Sequence, residues 1–106
     1  MIDRSTIDEA IRTLLDAAPA GSQVILFGSC ARDTANDDSD LDFLVVEPMP
    51  RSRRAEMVRL RQVLRPLAVP VDHLVVSRAA FDGWKDLPNN VIHEAARQGR
   101  AFTHAA

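Results

Sequence analysis

Three short apolar runs limit what this chain can fold into: Val24-Ile25-Leu26-Phe27, then Leu41-Asp42-Phe43-Leu44-Val45-Val46, then Val71-Asp72-His73-Leu74-Val75-Val76. Each is too short for an ordinary helix and is bounded by turn formers or proline, so each is expected as a buried strand. The first ends at Gly28-Ser29, the second starts with Asp40 and closes at Glu47-Pro48, and Pro70 precedes the third. Helical patterns fill the spaces. Ser5 is expected to cap a first helix in which Ile7, Ala10, Ile11, Leu14 and Leu15 recur at helical spacing until Pro19-Ala20-Gly21. Residues 52–65 set Ala55, Met57, Val58, Leu60, Val63 and Leu64 among arginines, giving one apolar and one basic helix face. Ser77 is expected to cap a short helix through Phe81, and Asn89 or Asn90 another through Gln98, with Gly99 as its stop. A final short strand is expected over 100–104. Helices alternating with strands indicate an α/β architecture with helices packed on a small sheet.

At 106 residues the expectation is a single domain spanning 1–106. With a net charge of -2, bulk electrostatics indicate no direct nucleic-acid binding. The charge is nonetheless uneven. Residues 1–50 carry 10 acidic and 3 basic side chains, and residues 51–106 carry 5 acidic and 10 basic. One cysteine, Cys30, permits neither an internal disulfide nor a thiolate zinc site and suits a reducing compartment. No apolar stretch reaches the roughly 18 residues that span a bilayer, and Met1-Ile2-Asp3-Arg4 does not open a secretory signal. The location expected is cytoplasmic, with no membrane partner.

Chemistry concentrates between Gly28 and Asp42. A Gly-Ser turn ends one buried strand, and ten residues later Asp40-Leu41-Asp42 opens the next. Residues two apart on a strand leave the same face, about 6.5–7 Å apart at Cα. A solvated face would continue in polar residues, but Leu44 and Val46 continue this one, so the carboxylates stand at the mouth of a buried face. Carboxylates there repel one another and are costly to desolvate without a cation or a donor. Hard oxygen donors of this kind suit Mg2+. Asp72 opens a similar face, continued by Leu74 and Val76, and joins the pair if its strand lies alongside. Three converging carboxylates are what two-metal phosphoryl or nucleotidyl transfer requires, because two ions clamp the attacking and leaving oxygens. Gly28 permits close backbone approach, and a helical turn from Ser29 would aim free N–H groups at a triphosphate, within reach of the Ser29 hydroxyl and Arg32.

The pattern Phe27-Gly28-Ser29-x-Ala31-Arg32, then Ser39-Asp40-x-Asp42, with Val71-Asp72 on a later strand, resembles the minimal nucleotidyltransferases (MNT) of the polymerase-beta-like superfamily. The resemblance runs from the first helix to Gly99-x-x-Phe102. It implies a mixed sheet, Gly28 and Ser29 in the nucleotide-binding turn, and Asp40, Asp42 and Asp72 as ligands of Mg2+, with Asp72 also activating the acceptor hydroxyl. One departure is Asp33, where a glycine usually follows the arginine. The resemblance further implies an antitoxin that moves AMP from ATP to a tyrosine of a partner HEPN toxin, or one that neutralises that partner by binding alone. This chain has no tyrosine of its own. Transfer to a small molecule such as an aminoglycoside is a third reading, disfavoured because no second, acceptor-binding domain is present.

Other residues are expected to do less. Cys30 has no histidine near it in sequence, His73 alternates to the face opposite Asp72, and His93 and His104 lack ligand spacing. The arginine-rich helix is expected as a solvated face rather than a nucleic-acid site, with docking on an acidic partner as a third option. Trp84 is expected as a core lid over the terminal helices rather than an interface anchor.

Overall fold

A computed structural model describes residues 3–28 and 41–104; Ser29, Cys30, Arg32, Asp33 and Asp40, all singled out above, lie outside the described residues. In chain order come α1 (Arg4–Ala17), β1 (Gln23–Phe27), β2 (Leu41–Glu47), α2 (Arg53–Leu64), β3 (Val71–Ser77), α3 (Arg78–Trp84), α4 (Val91–Gln98) and β4 (Arg100–Thr103), with a 3-10 turn, Arg65–Leu67, after α2. The strands form one mixed sheet in the order β3-β2-β1-β4. Within it β1 is antiparallel to both β2 and β4, whereas β2 and β3 are parallel and joined by the α2 crossover.

Strand alternation assigns the two faces. Val24 and Leu26, with Leu41, Phe43, Val45 and Val75, pack beneath α1 and α2. Ile25 and Phe27, with Leu44, Val46 and Val76, pack beneath Phe81 of α3 and Ala95 of α4. The result is three layers, helices on both faces of a mixed sheet.

Details of the ends differ from the sequence reading. The cap of α1 is Asp3, whose carboxylate accepts from the Thr6 N–H at 2.8 Å, while the Ser5 hydroxyl donates to the same carboxylate. An ionised oxygen is the better acceptor for the free N–H groups of a first turn, so the helix starts earlier than Ser5 would place it. Ser52, Ser77 and Asn90 cap α2, α3 and α4. α3 runs on to Trp84, beyond Phe81, and closes with the Lys85 N–H donating to the Phe81 carbonyl at 2.9 Å. Trp84 is 53% exposed and is not a core lid. Phe81 takes the buried place instead, with the Arg78 and Lys85 cations 5.5 and 5.9 Å from its ring centre.

Candidate active site

β1 delivers Phe27 opposite Asp42, and Gly28 follows at once. Gly28 has φ +80, and a Cβ at that position would lie 2.5 Å from the Asp42 Oδ2 oxygen. The chain therefore turns left-handed against a carboxylate, which only a residue without a side chain does cheaply. On its other side β2 meets β3 in parallel, and the register sets Asp42 against Asp72. Neighbouring strands lie about 4.8 Å apart, so the two side chains leave the sheet side by side on one face. Inward along that face Leu44, Val46 and Val76 are buried under α3 and α4. Asp42 is half-buried and Asp72 exposed, which places them at the open end of the apolar layer.

The structure thus brings together three of the six residues read from the sequence, Gly28, Asp42 and Asp72. Ser29, Arg32 and Asp40 are outside the described residues, and among the described residues no group of three or more metal-binding side chains occurs. Asp42 and Asp72 offer carboxylate oxygens on one face, the donor type a hard divalent cation takes. They fit such an ion as part of a set.

The histidines stand apart. His73 Nε2 donates to the Met57 carbonyl at 2.7 Å, on the α2 face of the sheet as expected. His93 Nδ1 donates to the Lys85 carbonyl, and His104 pairs with Asp16 on the surface.

A scan against protein families matches residues 7–97 to the nucleotidyltransferase domain. The chain belongs to the nucleotidyltransferase domain family. The match runs from within α1 to within α4, leaving out β4, and includes the Gly28, Asp42 and Asp72 positions, and the mixed sheet agrees with the nucleotidyltransferase fold. No curated protein matches the chain significantly. Among the described residues, no helix of this nucleotidyltransferase domain is long and apolar enough to cross a membrane.

Two features were missed in sequence. Glu47 ends β2 with 0% exposure, and burial together with neighbouring Glu56 pushes its carboxyl up to about 7. Among the described residues no donor reaches either Glu47 oxygen, so a proton on Glu47 itself is what can bridge it to the Glu56 carboxylate. Arg59, bound to both Glu56 oxygens at 2.7 and 2.8 Å, holds Glu56 down to about 2. The signal was present, since Glu47 continues the Leu41, Phe43, Val45 alternation toward the arginine-rich helix. The second is a groove between α2 and β3 with Asp72 in its wall.

Proposed function

We propose that this nucleotidyltransferase domain moves AMP from ATP onto a hydroxyl of a partner protein, a tyrosine of a HEPN toxin, and thereby acts as its antitoxin. The observation that carries the reading is the register of Asp42 with Asp72 beside Gly28 in a chain of the nucleotidyltransferase family. Gly28 leaves room for a triphosphate to approach the backbone, with Ser29 and Arg32 as its further ligands. Asp40, Asp42 and Asp72 would hold Mg2+, which when bound neutralises charge building on the phosphates. Asp72, the more exposed of the two described carboxylates, takes the proton of the acceptor hydroxyl. The acceptor oxygen bonds to the α-phosphorus, the bond to the bridging oxygen breaks, and pyrophosphate leaves. The absence of tyrosine from this sequence means that a tyrosine acceptor belongs to another chain.

The test is Mg2+-dependent transfer of label from α-labelled ATP into a lysate of the source cells, comparing wild type with Asp42→Asn. A labelled protein band that depends on Asp42 is the expected result. Equal labelling by a folded Asp42→Asn protein overturns the catalytic assignment. An absence of label, with the partner present and still neutralised, assigns neutralisation to binding alone.

A further inference from the structure

The groove along the open edge of β3 has a volume of about 620 Å³ and is walled by Arg54, Met57 and Arg61 from α2 and by Asp72 and His73 from β3. A further hollow of about 290 Å³ shares Arg61 and His73 and carries it on to Arg65. Its regularity follows from matched repeats. Arg53 Nε donates to the Val75 carbonyl at 2.8 Å, Met57 receives His73, and Arg61 stands by Val71, so helix and strand run in opposite directions. Four helical residues rise about 6 Å and two strand residues about 6.6 Å, so this spacing holds along the whole contact. The twelve residues of α2 give the groove a length of about 18 Å, the span of five or six residues of extended chain.

Three properties of the groove select an occupant. β3 is an edge strand, and because the Pro70 carbonyl takes the Leu41 N–H of β2, alternation turns the backbone groups of Val71 and His73 toward the open side. Such an edge suits an added polypeptide strand. Arg54 and Arg61 are exposed and, among the described residues, no carboxylate pairs with either, so the groove favours acidic side chains. Val58, 53% exposed, and Met57 supply apolar contact, and among the described residues the groove has no Phe, Tyr or Trp in its lining, while the His73 ring is held by its bond to the Met57 carbonyl. Asp72 lies between Val71 and His73 and leaves β3 on the face opposite α2, so in a chain added along this edge it is met by the neighbouring residue whose side chain alternates to that face.

We infer that this groove is the acceptor site: an extended acidic segment of the partner protein binds along β3 with its acids at Arg54 and Arg61 and its hydroxyl-bearing residue at Asp72. The inference rests on the nucleotidyl-transfer reading for its purpose, but its test does not need catalysis. The probe is a fluorescent peptide of about ten alternating glutamate and tyrosine residues, with a lysine and tyrosine counterpart, followed by anisotropy without ATP. Wild type is expected to bind the acidic peptide and not the basic one, and Arg54→Glu/Arg61→Glu to weaken binding about tenfold. If circular dichroism shows that this variant does not fold, Arg54→Gln/Arg61→Gln takes its place with a smaller expected loss. Label from α-labelled ATP is expected on the acidic peptide and to fall in step with binding. Undiminished binding by a folded variant, tighter binding of a single-stranded RNA, or self-association that the variant abolishes overturns the inference. Peptide binding with no label on the peptide, while the lysate shows Asp42-dependent label, overturns the acceptor assignment; no label in either assay overturns the nucleotidyl-transfer reading and leaves the groove as a peptide-binding site.

Discussion

At Gly28 a backbone turn and a carboxylate occupy neighbouring space, and the absent side chain lets both stay. Gly28→Ala sets a methyl group 2.5 Å from Asp42 Oδ2 and holds an L-residue at φ +80. About 1–2 kcal/mol of stability is expected to go, because the left-handed conformation and the displaced carboxylate both cost energy. Transfer activity should fall further than stability does, by about a hundredfold, as Asp42 is pushed from its place beside Asp72. Thermal melts and label transfer on the same preparation check this; a stable Gly28→Ala protein with full activity removes Gly28 from the site. Asp72→Asn keeps the shape but removes the proposed base, and is expected to lower transfer by about a hundredfold or more. Both aspartates were legible in the sequence because apolar residues continued their strand faces. Their mutual register was not, because nothing in one strand states which neighbour it will meet.

α2 links the fold to the groove. Ser52 caps its first turn by accepting from the Ala55 N–H at 3.1 Å, and the next residue, Arg53, binds the edge carbonyl of Val75. Ser52→Ala is expected to cost about 1 kcal/mol and to fray that turn. Hydrogen exchange should then speed up at the start of α2 and not in α4, whose cap is Asn90. The corner between α4 and β4 obeys a different constraint. Gly99 was expected as a helix stop, and it is the C-terminal cap, but with an extended backbone, φ -82. Glycine fits there because a Cβ would meet the Ala95 carbonyl at 2.5 Å and the Leu26 carbonyl at 3.0 Å. Helices were therefore legible as periodic patterns with caps nearby. That Asp3 rather than the expected Ser5 does the capping depended on the local chain path.

Stability of the whole molecule is tied to one buried carboxyl at the end of β2. The fully buried Glu47 carboxyl is pushed from its ordinary 4.5 up to about 7, first by burial and then by Glu56. Between those values the folded chain keeps a proton that the unfolded chain has lost, so stability falls as pH rises from 4.5 to 7 and levels off above. Glu56, held down to about 2 chiefly by Arg59, acts oppositely and adds stability as pH rises from about 2 to 4.5. Glu47→Gln is expected to flatten the fall above pH 4.5 and to be about 1–2 kcal/mol more stable than wild type at pH 8. Denaturant titrations at pH 5 and pH 8 decide it, and parallel stability curves for the two proteins would discount Glu47. The sequence by itself determined the alternation of strands and helices, the apolar faces, and the residue types able to bind phosphate and metal, because these depend on local spacing. Only the tertiary structure decided that Asp42 meets Asp72, that Glu47 is buried beside Glu56, and that α2 and β3 enclose a basic groove. Each of those depends on which elements become neighbours and in what register, and that is fixed by packing the two faces of one sheet rather than by any single segment.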